Sequence, residues 1–132
     1  MADSFAFDLV SPERLLISEQ VASVIVPGSE GQFTVLPGHA PVIASLKPGV
    51  LTIEDTHNQP IRFFLRGGLA EVRPEGLTIL AEQAVNLGEL NAATLDEEIR
   101  NTEEDVADAR NEAAKARAEA ILDELRQLKD AL

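Results

Sequence analysis

The chain has few side chains of the types that carry enzyme chemistry. Its only histidines are His39 and His57, and it contains no cysteine. A histidine can act as a general base, but His39, in the stretch Gly38 to Pro41, has no Asp, Glu or Ser at a recognisable triad spacing. His57 lies in EDTHNQP, a polar segment typical of a solvent-exposed turn. The residues therefore indicate no independent enzyme, and we expect no catalytic residue.

Metal and nucleotide sites are not indicated either. Two histidines without a cysteine do not supply a typical zinc ligand set. Gly67-Gly68 is not followed by Lys-Ser/Thr and a helix, as a phosphate-binding loop would be. A glycine pair between two strand-like segments instead predicts a tight turn or a bulge. We expect no metal and no cofactor.

Net charge and hydropathy exclude two further classes of partner. The net charge of −12 gives a surface that repels nucleic acid phosphates and anionic lipid head groups. No window approaches the ~20 apolar residues that a membrane-spanning helix needs. The N-terminal MADSFAFDLV lacks the basic start and apolar run of a signal peptide. We therefore expect no nucleic acid partner, and contact with a membrane only through other proteins.

The distribution of glycine and proline divides the chain. All seven prolines lie at or before Pro74, and all eight glycines lie at or before Gly88. Residues 1–87 carry 10 acids and 5 bases, whereas residues 88–132 carry 13 acids and 6 bases. This shift in composition predicts two domains, residues 1–87 and residues 88–132.

The first part has the pattern of β-strands. Phe5, Phe7 and Leu9 alternate on one face of a predicted strand, and Leu77, Ile79 and Ala81 do the same on another. Strand-like segments are SFAFDLV, the short run around FTVL, ASVIV, GVLTIED, IRFFLR and GLTILAE. Turn signals separate them at short intervals, which favours an all-β sandwich or barrel and disfavours parallel βαβ units.

The second part has the pattern of helices. Thr94 to Glu97 fits a capping box, which predicts the start of a helix. The first predicted stripe is Leu95, Ile99, Thr102 and Val106, and the second is Ala114, Ala118, Ile121, Leu125, Leu128 and Leu132. Asp108 or Asn111 could cap a second helix, but no Gly or Pro separates the stripes, so a two-helix hairpin and one long helix are both compatible. Because the stripes are thin, these helices need a packing partner.

The stretch VPGSEGQFTVLPGHAPVIASLKPGVL, Val26 to Leu51, closely resembles the epsilon subunit family of bacterial F-type ATP synthases, whose mitochondrial homologue is the delta subunit. The shared pattern is Gly-x-Glu-Gly, an apolar strand, Pro-Gly-His-Ala-Pro and a Lys-Pro-Gly turn. LRGGLAEV and LTILAEQA match later segments. The resemblance implies an N-terminal β-sandwich of about ten strands and a C-terminal α-helical hairpin. It also implies a non-catalytic subunit of the central stalk, or rotor, that couples proton flow to ATP synthesis.

The resemblance assigns interface residues to partners. Glu30, Gly31 and Gln32 correspond to a loop that family members place on the c-ring, although many members have an acid in place of Gln32. The gamma-subunit interface corresponds to His39, Ala40, Pro41, Val42 and Ile43. The C-terminal helices are implied to reach the catalytic alpha and beta subunits. The implied location is peripheral, on the cytoplasmic face of the bacterial inner membrane.

The C-terminal part departs from the family. Some relatives bind ATP through an Ile/Leu-Asp-x-x-Arg-Ala motif, which is degenerate here at Leu90, Asn91, Thr94 and Leu95. Without the arginine a triphosphate would lose a charge-assisted contact, so we expect ATP binding to be weak or absent and assign no nucleotide-binding residue. From residue 112 onward there are four bases and five acids, which is weak complementarity for an acidic catalytic subunit. We therefore expect the helices to have at most a weak regulatory role in ATP hydrolysis.

Two other functions are compatible with the residues. One is a generic β-sandwich adaptor with a helical interaction tail, which for a coiled coil would need heptads sustained over three or four repeats. The other is a small hydrolase in which folding brings a carboxylate near His39. Whether the hairpin rests folded or extended, and whether another polypeptide supplies inhibition, are open at this point.

Overall fold

The structure, a computed structural model, describes residues 4–55 and 60–132. The chain forms two compact units, Met1–Gly88 and Glu89–Leu132, beside the predicted division between residues 87 and 88. His57, predicted to lie in an exposed turn, falls outside the described residues.

The first unit is all β, as predicted. Its strands are β1 (Phe5–Val10), β2 (Leu15–Val21), β3 (Ser23–Gly28), β4 (Gly31–Val35), β5 (Val42–Leu46), β6 (Gly49–Glu54), β7 (Ile61–Leu65), β8 (Gly68–Arg73), β9 (Gly76–Ala81) and β10 (Ala84–Asn86). The strand order is β10-β7-β6-β3-β5-β8-β9-β1-β2, with β4 paired to β3. All pairs are antiparallel except β1 with β9. The curled sheet gives the predicted sandwich of ten strands, with the core between its layers.

Alternation along the strands builds the core. Phe7 and Leu9 of β1 are fully buried, and Leu77 and Ile79 of β9 are buried beside them. Leu51 and Ile53 of β6 contribute from the other layer. Because aromatic residues are scarce, branched aliphatic side chains fill most of this core, and such residues also favour extended backbone.

Three longer strands were not predicted from alternation. In β2 only Val21 is buried, because β2 is an edge strand and most of its side chains face solvent. In β5 only Leu46 is buried. In β8 the buried positions are Ala70 and Val72, and the first is too small to mark a core-facing position. These strands depend on pairing with neighbours more than on a hydrophobic face of their own.

The predicted turn or bulge at Gly67-Gly68 is present. Gly67 has φ +78° and Gly68 has φ +129°, both in the region that disfavours side chains. A Cβ atom at Gly68 would also collide with the carbonyl oxygen of Leu80. This glycine is therefore required both by its backbone angle and by close approach of β9.

The second unit is a helical hairpin, which confirms one of the two predicted alternatives. A 3₁₀ turn (Leu87–Glu89) precedes helix α1 (Ala92–Asp108), and α2 follows (Glu112–Ala131). Asn111 is the N-cap of α2, and its side chain accepts a hydrogen bond from the Ala114 amide at 2.8 Å. The chain leaves the helical conformation at Ala109, where ψ is 132°. A local cap therefore separates the helices although no Gly or Pro stands between them.

The predicted capping box at Thr94 to Glu97 is wrong. Asn91 is the N-cap of α1, and its side chain accepts hydrogen bonds from the amides of Ala93 (2.8 Å) and Thr94 (3.3 Å). Thr94 is already inside the helix. Asn is as strong an N-cap as Ser or Asp, and the extended backbone at Asn91 (φ −102°, ψ 120°) suits that position.

The first predicted helical stripe is confirmed and the second is partly wrong. Leu95 and Thr102 of α1 are buried, and the Thr102 hydroxyl donates to the Glu98 carbonyl oxygen at 2.8 Å. In α2 the buried residues are Leu122, Leu125 and Leu128. Ile121 and Leu132, which were predicted to share the stripe, are 49% and 44% exposed. Positions 121 and 122 both lie one turn before Leu125, so spacing alone does not choose between them.

The cap assignment can be tested by substitution. Replacing Asn91 with Ala is expected to destabilise the first turn of α1 by about 1 kcal/mol, because two amides lose their acceptor. Replacing Thr94 with Ala is expected to have little effect, since Ala is the better helix former. Amide hydrogen exchange over the first turns of α1 measures both. A larger loss of protection in Thr94→Ala than in Asn91→Ala would contradict this assignment and support the capping box at Thr94.

Candidate partner-binding surfaces

Six of the eight predicted interface residues line one groove in the β unit. The groove has a volume of about 620 Å³. Its lining residues come from the β3–β4 turn, from β4, from β5 and from His39; they are Gly28, Ser29, Glu30, Gly31, Gln32, Phe33, His39, Val42, Ile43, Ala44 and Ser45. Ala40 and Pro41, also predicted, are exposed but do not line it. The structure thus brings together residues that the resemblance assigned to two different partners.

The β3–β4 turn forms one end of the groove. Gly28 pairs with Gly31, so that Ser29 and Glu30 occupy the exposed tip. The Ser29 amide donates to the Ser45 carbonyl oxygen at 2.8 Å, which ties the turn to β5. A Cβ atom at Gly28 would lie 2.6 Å from the Gly31 carbonyl oxygen and 3.0 Å from the Phe33 ring, so this close approach leaves room only for glycine. Glycine here shapes the groove floor, and the bond to β5 positions Glu30.

The β4–β5 connection carries His39. The His39 amide donates to the Leu36 carbonyl oxygen at 3.1 Å, and Gly38 has φ +78°, which together make a tight turn. The His39 ring Nδ1 lies 2.9 Å from the Ala40 carbonyl oxygen. This hydrogen bond requires a proton on Nδ1, because a carbonyl oxygen can only accept. The imidazole is therefore oriented by its own turn, and the hydrolase hypothesis gains no carboxylate partner from the contacts of this ring.

Strand β5 carries large apolar side chains that are unusually exposed to solvent. Ala44 lies opposite Ala70 of β8 and Val42 lies opposite Val72, so these two β5 residues point toward the core side. Ile43 points outward and is 72% exposed, and Val42 is still 40% exposed. An isoleucine so exposed on a regular strand is a candidate contact for another protein.

A second surface was missed by the sequence reasoning. We call it the apolar row; it consists of Val10, Leu15, Leu69 and Leu80. Leu69 of β8 pairs with Leu80 of β9, Leu80 pairs with Val10 of β1, and Val10 pairs with Leu15 of β2. Leu69, Leu80 and Val10 are paired in regular register and share a face. Leu15 follows across a β-bulge in the pairing of β1 with β2, and its exposure places it on the outer side. Leu80 is 43% exposed and Leu15 is 56% exposed.

The apolar row is continuous with the groove. Ser45, which lines the groove, pairs with Leu69 on the same outer face. A hollow of about 420 Å³ lies at the other end, lined in part by Val10, Pro12 and Leu80. The apolar row and the outward side of β5 together extend over five neighbouring strands, β5, β8, β9, β1 and β2.

The sequence contains a pattern that could have predicted the apolar row. In β9, Leu77, Ile79 and Ala81 are the buried positions, so Leu80 stands in the phase where a polar residue is expected. Val10 stands in the same unexpected phase after Phe5, Phe7 and Leu9. Apolar residues at the solvent-facing positions of a strand indicate an interaction surface when they lie beside similar residues on the neighbouring strands.

The arginines near these surfaces have polar partners within the β unit. Arg73 lies 3.7 Å from a Glu71 carboxylate oxygen and 3.9 Å from one of Glu75, and it donates to the Thr78 hydroxyl at 3.2 Å. Arg66 donates to the Gln83 side chain at 3.0 Å. Over residues 4–55 and 60–132, no three His, Asp or Glu side chains are grouped so that they could hold a metal ion. The groove has a mixed polar and apolar lining, whereas the apolar row consists of apolar side chains only.

These features define a class of protein: a β-sandwich with an exposed apolar face, followed by a helical hairpin. The sequence profile described as the beta-sandwich domain of the ATP synthase delta/epsilon chain matches residues 4–87. The chain belongs to the ATP synthase delta/epsilon chain family.

Relatives match the whole length of the chain. A protein of Parvibaculum lavamentivorans named ATP synthase epsilon chain is 50% identical over 129 residues, covering 98% of each chain. One of Mesorhizobium japonicum with the same name is 46% identical over 132 residues, covering 100% of this chain and 98% of its own. The helical unit is therefore part of the shared protein and not a separate addition.

Solved structures have the same fold. A chain of the Euglena gracilis mitochondrial ATP synthase (OSCP/F1/c-ring) aligns with a TM-score of 0.83 at 24% identity, covering 99% of this chain and 82% of its own. A chain of the Tetrahymena thermophila mitochondrial ATP synthase (central stalk/c-ring) aligns with a TM-score of 0.63 at 17% identity, covering 96% and 95%. Among the helices described in this chain, none is both long and apolar enough to cross a membrane.

Proposed function

We propose that the protein is a non-catalytic rotor subunit in the central stalk of a proton-translocating F-type ATP synthase. One observation carries the proposal: the chain matches bacterial ATP synthase epsilon chains over essentially its whole length at up to 50% identity. The continuous apolar face on the β unit supports it, because a subunit that transmits torque needs a firm protein–protein contact. Family membership favours this function over the adaptor and hydrolase hypotheses.

The partner assignments follow the family resemblance of two segments that meet at the groove. We assign Glu30, Gly31 and Gln32 to the c-ring, and His39 to Ile43 to the gamma subunit. Residues of both sets, although not Ala40 and Pro41, line one groove, so the proposed contact places the gamma subunit and the c-ring next to each other. Gln32 is exposed, so it can offer hydrogen bonds but no charge to the ring.

The helical unit is proposed to contribute little regulation. Two of the four bases in α2, Arg126 and Lys129, already pair with acids of α1. Asn91, at the position of the aspartate in the nucleotide motif, is engaged as a helix cap. Contact of these helices with catalytic alpha and beta subunits and a peripheral location on the cytoplasmic face of the bacterial inner membrane are part of the proposal.

Site-specific cross-linking can test the partner assignment, because the chain has no cysteine of its own. In the assembled complex, a photoactivatable cross-linker on Ile43→Cys is expected to capture a gamma-like subunit, and one on Glu30→Cys a c-ring subunit. The physical reason is that only groups within several ångströms of the attachment point react. Mass spectrometry of the products identifies each partner.

Gln20→Cys provides the control, since Gln20 is exposed on β2 and lies outside both surfaces. It is expected to give neither product in quantity. If the protein fails to co-purify with a gamma-like subunit, the rotor function is wrong. If it co-purifies but Gln20→Cys and Ile43→Cys give the same products, only the placement of the interface is wrong.

A further inference from the structure

Strand β5 runs past the end of the strand beside it. Among the described residues, β5 pairs with β8 from Val42 to Leu46 on one edge, but with β3 only where Leu46 lies opposite Gly28. The chain turns back into β4 directly after Gly28, so β3 offers no partner to the rest of β5. One edge of β5 is therefore left open beside the groove, and we call it the open edge.

Nearby hydrogen bonds show which backbone groups the open edge presents. The Ser45 carbonyl oxygen accepts from the Ser29 amide at 2.8 Å. The Lys47 amide donates to the Pro27 carbonyl oxygen at 3.1 Å, on the same side of the strand. In an antiparallel strand the amide and carbonyl of one residue point to the same edge, and successive residues alternate between edges. Ile43, two residues before Ser45, therefore points both its amide and its carbonyl to the open edge.

The open edge lacks the features that protect an edge strand from pairing with another chain. Protected edges are commonly short or carry charged side chains. Strand β10 has three residues, and β2 carries Glu19. The exposed side chains of β4 beyond its first glycine are the polar Gln32 and Thr34. Strand β5 combines an uncharged open edge with a large apolar side chain, since Ile43 is 72% exposed.

The groove gives another chain room beside the open edge. Its lining includes Ile43 to Ser45 and the β3–β4 turn, and its volume is about 620 Å³. A segment lying where β3 would continue can pair with Ile43 without displacing the existing bonds to β3 or β8. Residues directly opposite each other in paired strands share a face, so an apolar residue of the added segment would pack on the Ile43 side chain.

We propose that an extended segment of the gamma subunit adds to the open edge of β5 as a further strand. The segment exchanges backbone hydrogen bonds with the Ile43 amide and carbonyl and carries an apolar residue opposite Ile43, in the mode known as β-augmentation. The proposal rests on the proposed rotor function, which takes the gamma subunit as the partner of His39 to Ile43. A paired strand has a fixed register, which suits a contact that transmits torque.

Amide hydrogen exchange in the full chain, free and bound to a purified gamma-like subunit, tests the pairing. In the free chain the Ile43 amide is expected to exchange fast and the Ala44 amide slowly, because the alternation along β5 points only the second to β8. In the complex the Ile43 amide is expected to become protected, with Ala44 unchanged. An Ile43 amide that stays unprotected in the complex would overturn the proposal. Protection that rises with the concentration of the free chain would also overturn it, by showing a second copy at this edge.

Two variants at one position separate the backbone contribution from that of the side chain. Ile43→Ala shortens the side chain and keeps the amide, whereas Ile43→Pro also removes the amide hydrogen. Ile43→Pro is expected to bind the gamma-like subunit about tenfold more weakly than Ile43→Ala, because a carbonyl oxygen of the partner loses its donor. Equal affinities of the two variants would contradict backbone pairing.

Ala44→Pro is the matched control for folding. It removes an amide that points to β8 and is expected to lower the thermal stability of the free chain, whereas proline at position 43 is tolerated because the open edge has no ladder bond to lose. If Ile43→Pro does not fold, exchange in the unsubstituted chain still decides. An unsubstituted chain that binds no gamma-like subunit contradicts the rotor function and this proposal together, whereas binding without protection of Ile43 contradicts the added strand alone.

Discussion

Replacing both Leu15 and Leu80 with Gln is expected to weaken binding to the gamma subunit and c-ring by about a hundredfold. Truncating a residue that dominates an interface costs about 2 kcal/mol or more, and we expect the two leucines, which belong to one row, to act together in this way. Both are about half exposed in this chain, at 56% and 43%. The loss should therefore appear in binding and not in folding. Titration of the variant into a gamma–c-ring subcomplex measures it.

The matched control for the apolar row is Ile121→Gln. Ile121 is 49% exposed but lies on α2, outside the row. Its replacement is expected to leave the affinity within about twofold, because Ile121 lies outside the row. It should also change the stability by less than about 0.5 kcal/mol, as is usual for surface substitutions. Equal affinity of the Leu15/Leu80 double variant and the parent would show that the row does not face these partners. Unfolding curves of all variants must coincide for the comparison to hold.

Replacing Gly68 with Ala is expected to have the largest effect on the stability of the β unit, about 3 kcal/mol or more. The positive φ of +129° strains any side-chain-bearing residue, a cost of about 1–3 kcal/mol. The new methyl group would also collide with the Leu80 carbonyl oxygen, which is held in β9. This collision can be relieved only if β8 and β9 move apart. Urea unfolding followed by circular dichroism measures the effect, since the chain has no Trp or Tyr.

Gly31→Ala separates the cost of backbone strain from the cost of the steric collision. Gly31 has a similar φ of +137°, but a Cβ atom there would have nothing within 4 Å. It is expected to lose only the strain contribution, about 1–2 kcal/mol. Equal losses at Gly31 and Gly68 would mean that the close approach of β9 contributes nothing. Because Gly31 also lines the groove, its variant is used here for stability and not for binding.

Much of the fold could be predicted because local chemistry and tertiary structure agree over long segments. The alternation of Phe5, Phe7 and Leu9 placed β1, and it is their burial that holds the strand in the core. The family resemblance located Glu30 and His39, because the glycines and prolines of that stretch demand particular turns. The helix start was misplaced by three residues, since Asn91 and Thr94 are both good caps and the backbone angle at Asn91 decides between them.

The sequence by itself determined the division into a β part and a helical part, the absence of cysteine chemistry, and the turn-forming stretch around His39. These properties depend on residue type and on neighbours within a few positions. Tertiary structure alone decided which apolar residues meet across strands, since the apolar row requires the register of β1, β2, β8 and β9. It also decided that Glu30 and His39 share one groove, that Leu122 and not Ile121 is buried, and that Lys129 meets Asp96. Pairings between residues far apart in the chain are set by packing and register, which no short stretch of sequence encodes.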